Sequence, residues 1–199
     1  MLIEVLGVDG AGKTTLIDAA RRRLQQDGSM RAYERSIRSE SRNLIEGLQL
    51  AVPEADFSAR DQELAVLLDA VREAHGSLHA YRGSPVSHVF VTGYRTALFA
   101  RLRARGLDDD AGLRALVGHI PRADVGVLVD APPAVALERI RRRQKGDQVL
   151  SFPDPLAEIE RRAAAARWAA LREACLRLDG TRPVDALTSQ LLAAVSGPR

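Results

Sequence analysis

Residues 7–15 combine glycine, lysine and threonine at a spacing suited to binding phosphate. The segment reads Gly-Val-Asp-Gly-Ala-Gly-Lys-Thr-Thr and fills every fixed position of the pattern GxxxxGK[ST]. Glycines let the backbone curl until successive N–H groups face one phosphate, and a helix that follows adds positive potential at its first turn. We call this segment the phosphate-binding loop, and we expect its nucleotide contacts to come from Gly7, Gly10, Ala11, Gly12, Lys13, Thr14 and Thr15.

The flanking residues support this interpretation. Met1–Leu6 is a short apolar run interrupted by Glu4, and Lys13–Gln26 has apolar or small residues at helical spacing. The alternative is a glycine-rich hairpin that contains Gly-Lys-Thr by chance, and it does not account for this order of strand, loop and helix. In that order Lys13 is predicted to reach the β- and γ-phosphates of a nucleotide, and Thr14 to give its hydroxyl to Mg²⁺.

The use of lysine gives a second, independent indication. The chain has 27 arginines but only two lysines, Lys13 and Lys145. The planar fork of arginine does not replace a compact ammonium that must fit between phosphates. A lysine kept at position 13 therefore favours a phosphate-binding role there.

Bulk properties predict one globular domain over residues 1–199. At this length, with 46% hydrophobic and 28% charged residues, the chain can bury a sizeable core. Asp9 and Lys13 interrupt the N-terminal apolar stretch, and no apolar run reaches membrane-spanning length, so we expect no signal peptide and no membrane partner. The single cysteine, Cys175, fits a packed thiol in a cytoplasmic protein.

Basic clusters and histidines give little reason to expect a nucleic-acid or metal-binding protein. Arginines cluster at 21–23, 101–105 and 139–145, but aromatic residues are only 4% of the chain and the net charge is only +3. We read such clusters as solvated helix faces and expect no nucleic-acid partner. His75 and His79 share an i, i+4 spacing without a neighbouring acid or cysteine, which favours a role other than metal binding.

Apolar runs alternate with helical patterns in a βαβ rhythm, which predicts a three-layer α/β fold with a mostly parallel sheet. In such a sheet, ligands bind beyond the carboxyl ends of the strands. The predicted strands are 1–6, 31–33, 86–91, 125–129 and 176–178, and the predicted helices are 13–26, 43–51, 59–75, 96–105, 113–119, 133–143, 154–176 and 184–195.

Several segments, in the same order, resemble the thymidylate kinases within the nucleoside monophosphate kinase branch of P-loop proteins. The most specific are VLGVDGAGKTT around the phosphate-binding loop and ADVGVLVDAPPAVALERIRRR at 123–143. YERS at 33–36, LAVLLDAVREAH at 64–75 and LDGTRPVDAL at 178–187 extend the resemblance over nearly the whole chain. It implies the P-loop kinase fold and transfer of the γ-phosphate of ATP, with Mg²⁺ as cofactor.

On the donor side, the resemblance assigns Lys13 to the ATP phosphates and Thr14 to Mg²⁺. Arg139–Arg143 and Lys145 match the basic entrance to a lid at about 141–155. The phosphate-binding loop has no arginine between its glycines. The transition-state charge is therefore expected to be met from the lid, with Arg139 near the nucleotide and Arg143 as a catalytic residue.

On the acceptor side, the resemblance assigns five residues. Asp9 matches the loop carboxylate that orients the acceptor sugar and a neighbouring arginine, although it also fits a loop residue that bonds its own backbone. Arg35 matches the arginine that meets the acceptor phosphate, and Arg72 the arginine that faces the base. Leu68 stands where the family has an aromatic residue that stacks on thymine, and Tyr94 belongs to the segment after the third strand.

The chain departs from the family at the end of that strand. The family has Asp-Arg-Tyr or a close variant, and this chain has Thr92-Gly93-Tyr94. The missing aspartate would hold Mg²⁺ through water, and the missing arginine would hold the acceptor phosphate. Asp9 and Asp130 are then the candidate carboxylates for the metal, although Asp130 equally fits a residue that caps the following turn.

Three hypotheses of function follow. The first is a nucleotide kinase acting on a nucleoside monophosphate, with thymidylate or a modified, related phosphorylated molecule as acceptor. The second is an ATP-binding protein with weak catalysis, and the third is a P-loop kinase for a non-nucleotide acceptor. A homodimer is expected from the resemblance alone.

Overall fold

Five parallel strands form the centre of the protein, in the spatial order β2-β3-β1-β4-β5. The computed structural model describes residues 1–26, 32–36, 40–52, 54, 56–78, 87–144 and 146–196. Because strand β1 is central, the loop that follows it opens at the middle of the carboxyl edge of the sheet. The strands are β1 Leu2–Leu6, β2 Ala32–Ser36, β3 His88–Thr92, β4 Val125–Asp130 and β5 Leu176–Asp179.

Helices cover both faces of this sheet, so the predicted α/β fold with a parallel sheet is confirmed. Short single turns follow α3, at Ala74–Leu78, and precede α7, at Gln148–Ser151. The helices are α1 Lys13–Gln26, α2 Glu40–Ala51, α3 Ala59–Glu73, α4 Arg95–Ala104, α5 Ala111–His119, α6 Pro133–Arg141, α7 Pro155–Arg172 and α8 Val184–Ser196.

The alternation of side chains along β1 divides the core between the two faces. Ile3 and Val5 pack on one face with Leu16 and Ile17 of α1. Leu2 packs on the other face, in the cluster that contains residues of α3, α4 and α5. Since both faces of the strand are covered, β1 is an almost continuous apolar run, as is usual for parallel sheets.

Glu4 is the one charged residue of β1, and it caps helix α4. Its carboxylate is 1% exposed and accepts hydrogen bonds from Thr96 N (3.0 Å), Thr96 Oγ1 (2.7 Å) and Ala97 N (2.9 Å). Burial raises the pKa of Glu4, although these three hydrogen bonds act in the opposite direction. Glu4 therefore ties the first turn of α4 to the central strand.

The predicted long helix at 154–176 ends earlier than its composition suggested. Helix α7 stops at Arg172, and Ala174 takes a left-handed conformation with φ of 54° before β5 begins. Cys175 follows this turn, and burial raises the pKa of its thiol to about 11. The predicted strand positions 31 and 86 lie outside the described residues, as do His79 and Lys145.

No helix in the described part of the chain has the length and apolar character needed to span a membrane. Helix α7, with 18 residues, is the longest of those described, and it carries several arginines and glutamates.

Candidate active site

The phosphate-binding loop depends on three glycines with positive φ. Gly7, Gly10 and Gly12 have φ of 145°, 83° and 102°, a region that side chains disfavour. A Cβ on Gly7 would lie 2.4 Å from Val129 O, and one on Gly10 would lie 2.3 Å from Ala136 O. The loop is therefore packed tightly against the end of β4 and the start of α6, and only glycine fits at these positions.

Lys13 folds its side chain back over this loop. Its Nζ donates hydrogen bonds to Gly7 O (2.8 Å) and Val8 O (2.9 Å) and lies 3.7 Å from Asp9 Oδ1. Burial lowers the pKa of Lys13, and the carboxylate of Asp9 partly offsets this effect. The ammonium is thus held inside the curve of the loop, where the pattern predicts the β- and γ-phosphates.

The first turn of α1 completes a site that fits a nucleotide and its metal. The α1 helix begins at Lys13, so its free N–H groups and positive dipole end face the loop. Thr14 and Thr15 are exposed, which leaves the Thr14 hydroxyl accessible to Mg²⁺. These residues fit the phosphates of ATP, and Mg²⁺ would be held by Thr14 together with those phosphates.

Two arginines of the predicted donor side lie close to the loop. Arg139 of α6 donates from Nη1 to Gly180 O at 3.0 Å and contacts Gly10 O and Ala11 O at 3.4 Å. It therefore joins the loop to the segment after β5. Arg143 is exposed, and its charge contributes to the lowered pKa of Lys13, which puts it within electrostatic reach of the Lys13 ammonium.

The structure gives Asp130 a different set of partners from the predicted metal. Arg167 and Arg177 both pair with its carboxylate, with nitrogen–oxygen distances of 2.9 Å and 2.6 Å. Burial acts to raise the pKa of Asp130, but the hydrogen bonds of the two arginines outweigh it and hold the pKa below its ordinary value. Within the described residues, no group of three or more His, Cys, Asp or Glu side chains is arranged to hold a metal. The metal role of Asp130 stays a prediction, and this geometry does not favour it.

A cavity of about 620 Å³ opens beside the first three residues of the phosphate-binding loop. Its volume is in the range that accommodates a small organic ligand. Gly7, Val8 and Asp9 belong both to the loop and to the wall of the cavity. We call it the arginine-lined cavity because five of its wall residues are Arg42, Arg101, Arg105, Arg161 and Arg162.

Helix α4 supplies one basic wall of this cavity through a buried ion-pair cluster. Glu63 of α3 is fully buried and accepts hydrogen bonds from Arg101 Nε (2.5 Å) and Nη2 (2.7 Å). Arg105 Nε lies 3.0 Å from Oε1 of the same carboxylate. One carboxylate thus orients two arginines, and the cluster keeps one positive charge in excess.

Helix α7 supplies the opposite wall. The Glu158 carboxylate accepts from Arg161 Nη2 (2.5 Å) and from Arg162 Nε (2.6 Å). Burial acts to raise the pKa of Glu158, but these hydrogen bonds outweigh it and keep the pKa below its ordinary value. Arg162 also lies over the ring of Phe152, 5.5 Å from its centroid, and its Nη1 is 3.6 Å from Asp9 Oδ2.

The predicted acceptor-side residues are only partly brought together. Asp9 lines the arginine-lined cavity, and the side chain of Arg35 lies outside the described residues. Leu68 and Arg72 are exposed on α3, whereas Tyr94 is 1% exposed and packs in the core at the start of α4. None of these three is among the described residues that line the cavity, so their contacts with an acceptor stay predictions.

Sequence reasoning missed the contribution of Glu63 and of the pair Arg161 and Arg162. A glutamate followed three and four residues later by arginines is typical of a solvated helix face. Nothing local to α7 indicates that this face turns towards Asp9, because that depends on how the helix packs on the sheet. The one available signal was the long arginine-rich α7 itself, which follows the predicted lid.

Comparison with known proteins decides the family. No family model matches the chain. The thymidylate kinase of Xanthomonas campestris pv. campestris (strain B100) is 34% identical over 188 residues, which are 94% of this chain and 76% of that protein. The chain belongs to the thymidylate kinase family. The thymidylate kinase of Xylella fastidiosa (strain 9a5c) is 34% identical over 145 residues, 72% of this chain and 67% of that protein.

Membership of the thymidylate kinase family makes the chain an ATP-dependent phosphotransferase of the nucleotide kinase class. ATP and Mg²⁺ are the cofactors of this family, in agreement with the phosphate-binding loop described above. The arginine-lined cavity lies next to this loop and shares Gly7, Val8 and Asp9 with it.

Proposed function

We propose that the chain transfers the γ-phosphate of ATP to thymidine monophosphate bound in the arginine-lined cavity. The observation that carries this proposal is that Gly7, Val8 and Asp9 are shared between the phosphate-binding loop and the cavity wall. A donor and an acceptor on the two sides of one short loop are close enough for direct, in-line transfer.

The phosphate-binding loop and the arginines near it have distinct tasks in this proposal. The loop N–H groups and the Lys13 ammonium neutralise the donor phosphates, and Arg139 fixes the loop against the segment after β5. Bound Mg²⁺ would add charge neutralisation at the donor phosphates, with Thr14 as its protein ligand. Arg143 approaches from the predicted lid, residues 141–155, whose closure would exclude water and suppress hydrolysis of ATP.

Asp9 is proposed to act on the acceptor. Its carboxylate lies between two cations, Lys13 and Arg162, at 3.7 Å and 3.6 Å. A carboxylate in a loop built for anions is favourable only beside such cations or a hydroxyl donor. We infer that it orients the acceptor sugar, while Arg35 of β2 keeps its predicted role at the acceptor phosphate.

A related phosphorylated acceptor is the second candidate. Leu68 is not aromatic and Gly93 is not an arginine, and Phe152 is the aromatic residue among the described residues that line the cavity. These differences support a base other than unmodified thymine. The names of the relatives favour a nucleoside monophosphate over a non-nucleotide acceptor or a protein that only binds ATP.

An assay of ADP release with a panel of acceptors tests this proposal. The panel would contain thymidine, uridine, cytidine and purine monophosphates, modified pyrimidine monophosphates and a phosphorylated sugar. We expect the highest kcat/KM with thymidine monophosphate or a modified pyrimidine monophosphate, and a value lower by about 100-fold or more with the Lys13→Ala variant. Release of ADP that is independent of every nucleotide acceptor, or highest with the sugar phosphate, would contradict the proposal.

A further inference from the structure

We propose that Arg162 of helix α7 binds the phosphate of the acceptor, a role that rests on the function proposed above. Arg162 is a wall residue of the arginine-lined cavity and lies beside the carboxylate of Asp9 in the phosphate-binding loop. It is therefore at the boundary between the donor loop and the acceptor, where an accepting phosphate must lie for transfer.

Three contacts hold the Arg162 guanidinium in one orientation. Nε donates to Glu158 at 2.6 Å, the ring of Phe152 lies under the plane at 5.5 Å, and Nη1 faces Asp9 at 3.6 Å. A planar guanidinium fixed in this way loses little conformational freedom when it binds an anion. This preorganisation is what a phosphate site needs.

The contact with Asp9 leaves Arg162 able to bind a further anion. A nitrogen–oxygen distance of 3.6 Å is longer than a hydrogen bond, so Nη1 keeps donor capacity within the described part of the chain. Glu158 Oε2 accepts a hydrogen bond from Arg161, and Glu158 Oε1 accepts one from Arg162 Nε. The carboxylate therefore does not need the terminal Nη groups of Arg162 as donors. A phosphate dianion matches the remaining N–H groups.

The end of strand β3 offers no cationic side chain for this role. Gly93, at φ of 69°, lines the same cavity and offers no side chain to an anion. Arg101 and Arg105 line it as well, but their guanidinium groups already bind the buried Glu63. Arg162 combines a cavity position with a contact to the phosphate-binding loop.

Binding measurements that do not depend on catalysis test this inference. The dissociation constants of thymidine monophosphate and of thymidine would be measured by calorimetry, without ATP, for the parent protein and for Arg162→Gln. We expect the variant to bind the monophosphate about 10- to 100-fold more weakly and thymidine within about threefold of the parent, because only the charge-assisted phosphate contact is lost.

Two further variants separate this role from a structural one. Arg162→Lys keeps the charge without the fork, so we expect it to recover part of the affinity for the monophosphate. Arg114→Gln makes the same change of charge at an exposed position of α5 that does not line the cavity, and we expect the ratio of the two affinities to change by less than about threefold. Thermal unfolding would verify that each variant is folded.

One result would contradict the inference about Arg162 alone, and another would also contradict the proposed function. If Arg162→Gln binds thymidine monophosphate as the parent does, or loses affinity for it and for thymidine equally, the inference about Arg162 is wrong and the proposed function stands. If the parent protein itself does not bind thymidine monophosphate, both are contradicted.

Discussion

At the scale of single residues, a line of alternating charges joins the phosphate-binding loop to the arginine-lined cavity. Lys13, Asp9, Arg162 and Glu158 follow one another, with nitrogen–oxygen distances of 3.7 Å, 3.6 Å and 2.6 Å. Each carboxylate in this line lies between cations, so removal of one member leaves a neighbouring charge uncompensated. Lys13 is the end of this line that faces the predicted donor phosphates. Of the four residues, we therefore expect substitution of Lys13 to lower activity most.

Lys13→Ala is expected to lower kcat by about 100-fold or more, because the transferred phosphate loses its fixed counter-charge. The affinity for ATP should fall in parallel. Steady-state kinetics and calorimetry with ATP would measure the two effects. Arg114→Ala, at an exposed residue of α5 that is not part of the loop, the lid or the cavity wall, is the control and should behave as the parent. Equal turnover by Lys13→Ala and the parent would contradict the role of the loop.

Asp130→Asn distinguishes a structural from a metal-binding role of this residue. The pKa of Asp130 lies below its ordinary value of 3.8 in the folded protein, so its ion pairs stabilise the fold above that pH. This stabilisation is lost as the pH falls through the folded pKa. We expect Asp130→Asn to lower the free energy of unfolding at pH 7 by about 2 kcal/mol, and by less once the pH falls below the folded pKa of Asp130.

Urea unfolding at several pH values would measure this difference, and a titration with Mg²⁺ would provide the contrast. The geometry predicts an unchanged requirement for Mg²⁺ in Asp130→Asn. A rise in the Mg²⁺ concentration needed for half-maximal turnover, with unchanged stability, would instead support the metal role predicted from the sequence.

At the scale of elements, helices α3 and α4 are joined by a charge cluster that also shapes the arginine-lined cavity. Glu63 of α3 has no exposed surface and binds Arg101 of α4 and Arg105, the residue that follows this helix. Glu4 of β1 holds the first turn of the same helix. Helix α4 is therefore fixed at its N-terminus by one buried carboxylate and along its second half by another.

Glu63→Gln is expected to lower the free energy of unfolding by about 3 kcal/mol, because two arginines lose the charge that compensates their partial burial. Urea denaturation would measure this change. Glu138→Gln removes a glutamate from an exposed ion pair on α6, and this matched control should have little measurable effect. Comparable stability of the two variants would show that the buried cluster contributes no more than a surface pair.

The elements themselves were largely predictable, and their mutual orientation was not. The phosphate-binding loop and helix α1 were predicted with the observed bounds, because glycine chemistry and helical spacing are local properties. The partners of Glu63 and Arg162 lie on other elements, so no local pattern reveals them. The predicted strand 125–129 is one residue shorter than β4, and the neighbours of Asp130 on α7 and β5 could not be read from its own segment.

At the scale of the whole molecule, positive charge is concentrated in one place. The chain has a net charge of only +3, while five arginines and two carboxylates line the cavity beside the phosphate-binding loop. Glu46 also pairs with Arg42, and the buried Glu63 pairs with Arg101 and Arg105, so counting these two carboxylates leaves an excess of one positive charge at the wall. Such a concentration of charge attracts anions, and its effect is screened by salt.

We therefore expect KM for the acceptor monophosphate to rise several-fold between about 50 mM and about 300 mM salt, as the Debye length shortens. Steady-state kinetics at saturating ATP and Mg²⁺ would measure this rise. Binding of the uncharged nucleoside provides the control, since its affinity should change little over the same range. A KM for the monophosphate that does not respond to salt would mean that the arginine charge is neutralised within the cavity wall.

The near absence of lysine gives this molecule an unusual chemical signature. A reagent that acylates or reductively alkylates amines has only two side-chain targets, Lys13 and Lys145, besides the α-amino group. Burial lowers the pKa of Lys13, so a larger fraction of its amine is nucleophilic near neutral pH. Bound ATP should protect Lys13 from modification, and peptide mass spectrometry would then report donor-site occupancy from a single residue. Labelling of Lys13 that proceeds equally with and without ATP would show that the nucleotide does not cover this amine.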